Sequence, residues 1–179
     1  LRLGWLYYKN NKFVESIAYY KKAIAKMPLS IEAKLGIVYP LAALEKWDEV
    51  VNQYTSILKI DVYHATANYR LALIYYNRLD YGNSWKYLKN YINLYPFDYD
   101  GNSLAGWIKY SVGKKEEANV FFKKALMVNP YDTSFNNVEY LQDYPYNPTS
   151  ELYNINIPFN LNYSVDISDG LYPYKIFLT

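Results

Sequence analysis

Cysteine is absent from the whole 179-residue chain, so neither a disulfide framework nor a thiolate site can form, and that absence suits an oxidising or a reducing compartment alike. Histidine occurs once, at His64, and a single histidine without cysteine excludes zinc sites of the usual ligand types. Glycine numbers only 7, and no glycine-rich phosphate loop is present. Charge of one sign is also missing. A formal net charge of +2 lacks the strong basic excess of phosphate-backbone binders, so no nucleic-acid partner is expected. No apolar run approaches the ~18 residues needed to cross a bilayer as a helix. The acidic pair Glu116 and Glu117 reads as helix-start chemistry rather than a general acid and base, because negative charge suits a helix N-terminus. The segment FDYDGN, with Asp98, Asp100 and Gly101, has the look of a calcium loop but lacks the later acidic ligands. The sequon Asn162-Tyr163-Ser164 is expected by chance in a chain this rich in Asn. No catalytic residue, metal or cofactor is therefore expected, and the chain does not read as an enzyme.

What is abundant is tyrosine, at 24 residues, alongside many Asn, Ile and Lys. That composition reads either as an adhesive aromatic surface or as the product of AT-rich codons, so position counts for more than number. Position reveals a period of 34. Pro96 and Pro130, Ala72 and Gly106, Ser84 and Ala118, and Leu94 and Val128 are each 34 apart. Stepping back from Pro96 by the same interval lands on Val62, then Pro28. A helix of about a dozen residues, a tight turn and a second helix fit this length.

Within each unit the residue types recur. The unit beginning at Tyr99 has Gly106 where two helices cross, Lys109 and Tyr110 leading to a turn at Gly113, then Ala118, Phe122, Ala125 and Pro130. The unit beginning at Ala65 places Leu71, Ala72, Tyr75, Tyr81, Ser84, Leu88 and Pro96 in the same slots, and the first has Gly4, Tyr7, Phe13, Ser16, Tyr20, Ala23 and Pro28. The second unit is degenerate. Trp47, Val50, Tyr54, Ile57 and Ile60 keep the second-helix pattern, but Val38 replaces the small residue and Pro40 lies within the first helix, where a kink is expected.

This pattern resembles the tetratricopeptide repeat, over roughly residues 1–141 and in four registers in phase. The resemblance implies an α-solenoid of about four helix-turn-helix units plus a half-repeat from Thr133 to Leu141. It also implies that Leu1 falls inside the first helix, so that helix is expected to lack its opening turn, as in a fragment or after removal of a signal peptide. In the family the first helices of the repeats line a concave partner-binding face. Carried onto this sequence, that face comprises Trp5, Tyr8, Lys9, Leu35, Tyr39, Tyr69, Arg70, Leu73, Tyr76, Asn77, Trp107 and Tyr110. The family's carboxylate clamp for acidic chaperone tails would have only Lys9, Arg70 and Asn77 here, at unsuitable spacing. An aromatic, weakly charged groove suits an apolar partner, because Tyr and Trp give large contact area at little entropic cost.

The C-terminal part follows a different rhythm. Residues 142–150 contain two prolines and read as a linker. Then Tyr153, Ile155, Ile157, Phe159, Leu161, Tyr163, Val165 and Ile167 alternate with polar residues, the period of a half-buried strand, with Pro158 marking an edge or bulge. A turn at Asp169 and Gly170 and a returning strand complete an expected β-hairpin over residues 151–179. An isolated hairpin is marginal in water, so its apolar face must rest on its own solenoid, on another subunit or on further strands.

The expectation is thus an all-α solenoid of repeats with a C-terminal β-hairpin. Its expected function is that of a non-enzymatic scaffold whose protein partner is a copy of itself, the tail of one subunit engaging the solenoid or tail of the next. A monomeric adaptor for an apolar peptide of another protein and an envelope polysaccharide-handling protein are the alternatives. A secreted or cell-envelope setting is the favoured location.

Overall fold

In the computed structural model the described residues are 1–135, together with the backbone of residues 163–166 and 175–178. Eight helices fill the first stretch: α1 (Arg2–Lys9), α2 (Phe13–Lys26), α3 (Ile31–Ala43), α4 (Trp47–Leu58), α5 (Ala65–Asn77), α6 (Tyr81–Leu94), α7 (Tyr99–Ser111) and α8 (Lys115–Val128). The even-numbered helices start at 13, 47, 81 and 115, and α3, α5 and α7 at 31, 65 and 99, so every step is 34. The first helix has 8 residues where the later odd-numbered helices have 13.

Helix ends repeat as strictly as the helices do. Ser30, His64 and Asp98 are the N-caps of α3, α5 and α7, and their side chains accept the amides of Ala33, Ala67 and Gly101 at 3.2, 3.2 and 2.7 Å. Each cap satisfies one of the orphan amides of a first turn. His64 and Asp98 are therefore capping residues, Asp98 at the position where the sequence has the look of a calcium loop. At the other end, Asn11, Glu45, Leu79 and Gly113 all carry positive φ, at 58, 56, 60 and 78°. The amides of the next residues, Lys12, Lys46, Asp80 and Lys114, each reach back 2.9 Å to the carbonyls of Tyr7, Leu41, Tyr75 and Lys109. This is the Schellman closure, in which one left-handed residue lets the following amide bond into the last turn. The expected turn at Gly113 is one of four, and only that one uses glycine.

The helix pairs lock through small residues. Tyr20 of α2 wedges between Gly4 of α1 and Gly36 of α3, where a Cβ would lie 2.8 and 2.3 Å from its ring; Phe122 does the same at Gly106, at 2.3 Å. The buried hydroxyls of Ser16 and Ser84 donate to the carbonyls of Gly4 and Ala72 at 2.7 and 2.8 Å, tying each second helix to the first of its pair. Between repeats, the buried amides of Asn68 and Asn102 clasp the preceding loop, donating to Val62 and His64 and to Pro96 and Asp98. The third helix runs unbroken through Pro40 to Ala43.

Each helix packs on the next, and α1 also touches α3, as α5 touches α7. No Cα of α3 comes within 8 Å of α5. The seam between the second and third repeats is therefore open on the odd-helix side and closed only through α4, whose Val50, Tyr54 and Ile57 share one core with Ile37, Leu41 and Leu71. Among the described residues, no helix is long and apolar enough to cross a membrane.

By compactness the chain divides into two units, Leu1–Asp143 and Tyr144–Thr179. In the second, strands β1 (Tyr163–Asp166) and β2 (Lys175–Leu178) pair antiparallel, with Tyr163 opposite Leu178 and Asp166 opposite Lys175. The turn joining them, the 142–150 linker, and the tail residues Tyr153, Ile155, Ile157, Phe159, Leu161 and Ile167 lie outside the described residues.

Candidate protein-interaction face

The open seam makes a depression of about 480 Å³. Its walls are Tyr8 from α1, Val38, Tyr39, Ala42 and Ala43 from α3, and Thr66, Arg70, Leu73, Ile74 and Asn77 from α5; Trp47, Val50 and Tyr54 of α4 form the floor. A smaller depression of about 360 Å³ adjoins it, lined by Trp5, Leu35, Gly36 and Tyr39 with Arg2 and Glu32. Tyr39, 53 % exposed, is the ridge common to both. Val38, in the slot where the neighbouring repeats carry Gly or Ala, contributes one of the walls of the larger depression.

Seven of the twelve expected face residues line these two depressions: Trp5, Tyr8, Leu35, Tyr39, Arg70, Leu73 and Asn77. Trp5, Tyr8 and Tyr39 form a connected aromatic group, with ring centroids 5.5 to 6.2 Å apart, and Lys9 holds its ammonium 5.3 Å from the Trp5 ring. The others are engaged elsewhere. Tyr69 leans on Tyr91 at 4.8 Å and Tyr76 on Tyr81 at 5.7 Å. Trp107 packs edge-on to Phe122 at 5.0 Å and against Phe135 and Tyr110, both at 6.0 Å.

The electrostatics are lopsided. Among the described residues, Arg70 is the one charged side chain lining the larger depression, and no carboxylate borders it. Burial, more than the nearby Arg70 opposes, pushes the Tyr54 phenol up. At the far end, burial followed by the Asp98 charge holds Tyr91 up at about 12, and burial followed by Asp100 raises Tyr69. These phenols are neutral hydrogen-bond donors at ordinary pH. Such a surface can bury apolar side chains and pair one carboxylate.

Sequence reasoning missed several of these residues. Trp47 reads as core from its helix position, yet it is 46 % exposed and contributes to the floor. Gly36 falls outside the repeat's small-residue slot and makes room for Tyr20 of the preceding repeat. Lys109 is largely buried, its ammonium 3.8 Å from the Trp85 ring and 2.8 Å from Glu117. Glu117 thus opens α8 as expected and also anchors a buried cation, which holds its carboxyl down at about 2.

Residues 1–30 match the family model of the tetratricopeptide repeat. No curated protein matches the chain by sequence. Among solved structures it is similar to MamA: one crystal structure is 21% identical over 73% of this chain and 71% of that one, with a TM-score of 0.63. A second is 21% identical over 73% and 76%, at 0.65. MamA from Desulfovibrio magneticus RS-1 is 18% identical over 73% and 74%, at 0.66. At these identities the likeness concerns the fold, which is the paired-helix solenoid described above. The repeat model is matched on the first unit and the same 34-residue register runs to Val128, so residues 1–128 have the paired-helix fold of tetratricopeptide repeats.

Proposed function

We propose that this chain is a non-enzymatic scaffold that self-assembles, the C-terminal tail of one copy seating in the depression between α3 and α5 of the next. The repeat supplies the general part of that reading, since it is a protein-interaction module. The depression supports the specific part: apolar and aromatic walls, Arg70 as the bordering charge and, among the described residues, no carboxylate to repel an acidic segment. The tail has the complementary composition. Residues 136–179 contain Glu139, Asp143, Glu151, Asp166 and Asp169 against Lys175 alone, so of 19 cations and 17 carboxylates, 18 and 12 fall in residues 1–135. Apolar side chains alternating through residues 153–167 offer the contact area, and the expected hairpin over residues 151–179 offers a strand for addition. A head-to-tail contact of this kind is heterologous and grows rings or filaments.

Particle size tests it. Light scattering and negative-stain microscopy should show assemblies larger than a dimer for the full chain. They should show none after removal of residues 150–179, and none in the full chain carrying Tyr39→Ala and Arg70→Glu. Growth that survives the groove substitutions would place the tail elsewhere. Absence of growth in the parent chain would leave the groove to the apolar peptide of a different protein.

A further inference from the structure

A second surface lies on the edge of the solenoid, away from the groove. Each repeat ends in a short loop, and the residue after the proline slot is large, apolar and exposed in all four: Leu29 at 75%, Tyr63 at 60%, Phe97 at 72% and Tyr131 at 82%. They stand 34 apart, so repeat stacking sets them in a row along one edge. Met27, Val62, Tyr95 and Val128, in or beside the same loops, are 64, 55, 49 and 51% exposed. Single exposed apolar residues mean nothing, but a continuous row does. At about 200 Å² for a large side chain, the four rungs alone expose about 600 Å². The flanking residues bring the edge to the ~800 Å² per partner of a standard protein interface.

Charge along the edge is graded. Lys26 and Lys59 border the first two loops, together with Glu32 and Asp61; the last two loops bring Asp98, Asp100 and Asp132, and neither 95–102 nor 129–135 contains a cation. We infer that two copies of this chain pair along the edge about a two-fold axis, antiparallel. Leu29 and Tyr63 of one copy then meet Tyr131 and Phe97 of the other, with Lys59 set toward Asp100 and Lys26 toward Asp132. A parallel pairing would put the carboxylate-rich halves together. The contact is isologous and closes at two copies, and it uses no residue of the tail or the groove.

Sedimentation equilibrium of the full chain over a range of concentrations tests this, in a background carrying Tyr39→Ala and Arg70→Glu so that tail-driven growth is removed. A reversible dimer is expected. Phe97→Asp, at an exposed loop position, should weaken it by about tenfold or more. Lys59→Glu should weaken it about two- to fivefold, and Lys59→Glu with Asp100→Lys should restore it, because the two-fold axis swaps both charges at once. Thermal melting of each variant should match the background, showing that only association has changed. A monomer at ~100 μM, a dimer indifferent to Phe97→Asp, or a double charge swap no tighter than the single one would each overturn the pairing. Because the groove substitutions are common to every variant, differences among the variants report on the edge and not on tail-driven assembly, which the removal of residues 150–179 tests by itself.

Discussion

Gly106→Ala should destabilise the solenoid by about 2 kcal/mol, although alanine is the better helix former by about 1 kcal/mol. The new Cβ would lie 2.3 and 2.4 Å from Cε1 and Cδ1 of Phe122 and 2.9 Å from Cζ. The ring cannot retreat. Phe122 is fully buried, with Trp107 and Phe135 packed against its ring at 5.0 and 4.7 Å. Overpacking of this kind costs about 3 kcal/mol at the upper end of its range, which leaves about 2 after the propensity gain. With a urea slope of about 2 kcal/mol/M, the midpoint should fall by about 1 M. The same substitution at Gly82, where the nearest atom to a new Cβ is Asp80 Oδ1 at 3.7 Å, should instead raise stability by about 0.5 kcal/mol. Adding Phe122→Leu to Gly106→Ala should recover part of the loss, as coupled neighbours do. A midpoint for Gly106→Ala at or above that of the parent would refute the wedge.

Leu79 sits at φ 60°, where a side chain costs about 1 to 2 kcal/mol, so Leu79→Gly should stabilise by about 0.5 to 1 kcal/mol after its added unfolded-state entropy, measured by the same urea titration. Ser84→Ala removes the buried hydroxyl's bond to the Ala72 carbonyl and should cost about 1 kcal/mol, with the loss visible as faster amide exchange in α5 and α6. The Glu117 carboxyl is held near 2 by hydrogen bonds first from Lys109 and then from Lys114. A depressed carboxyl stabilises above its unfolded value of 4.5 and loses that contribution as pH falls through about 2. The stability gap between the parent and Glu117→Gln should therefore be full at pH 7, narrow below 4.5 and close near 2; a gap independent of pH would exclude the ion pair as its source.

The repeat was legible because its anchors are local. Proline stops, capping side chains and small residues at Gly4, Ala72 and Gly106 each act within a turn or a helix pair, so the 34-residue spacing carries them directly. What escaped depends on contacts between repeats. Gly36 is small for the sake of a tyrosine sixteen residues earlier, in the previous unit. Glu45 and Leu79 hold left-handed backbone that the sequence advertises only at Gly113, because the Schellman bond enforces it whatever the residue. Trp47 keeps the spacing of a core residue, but the core it would fill is missing where α3 and α5 stay apart. The face residues divide along the same line. Tyr39 and Arg70 were placed by register, whereas the engagement of Trp107 with Phe135 needed the residue at which the next unit begins.

In a linear array stability spreads from unit to unit through nearest-neighbour coupling. Where α3 and α5 fail to meet, one term of that coupling is gone while α4 still carries the other. A boundary between folded and melted repeats therefore costs least at this seam. Under partial denaturation, residues 1–58 and 65–128 should come apart as two cooperative blocks, and an occupant of the depression, by bridging them, would fuse them into one.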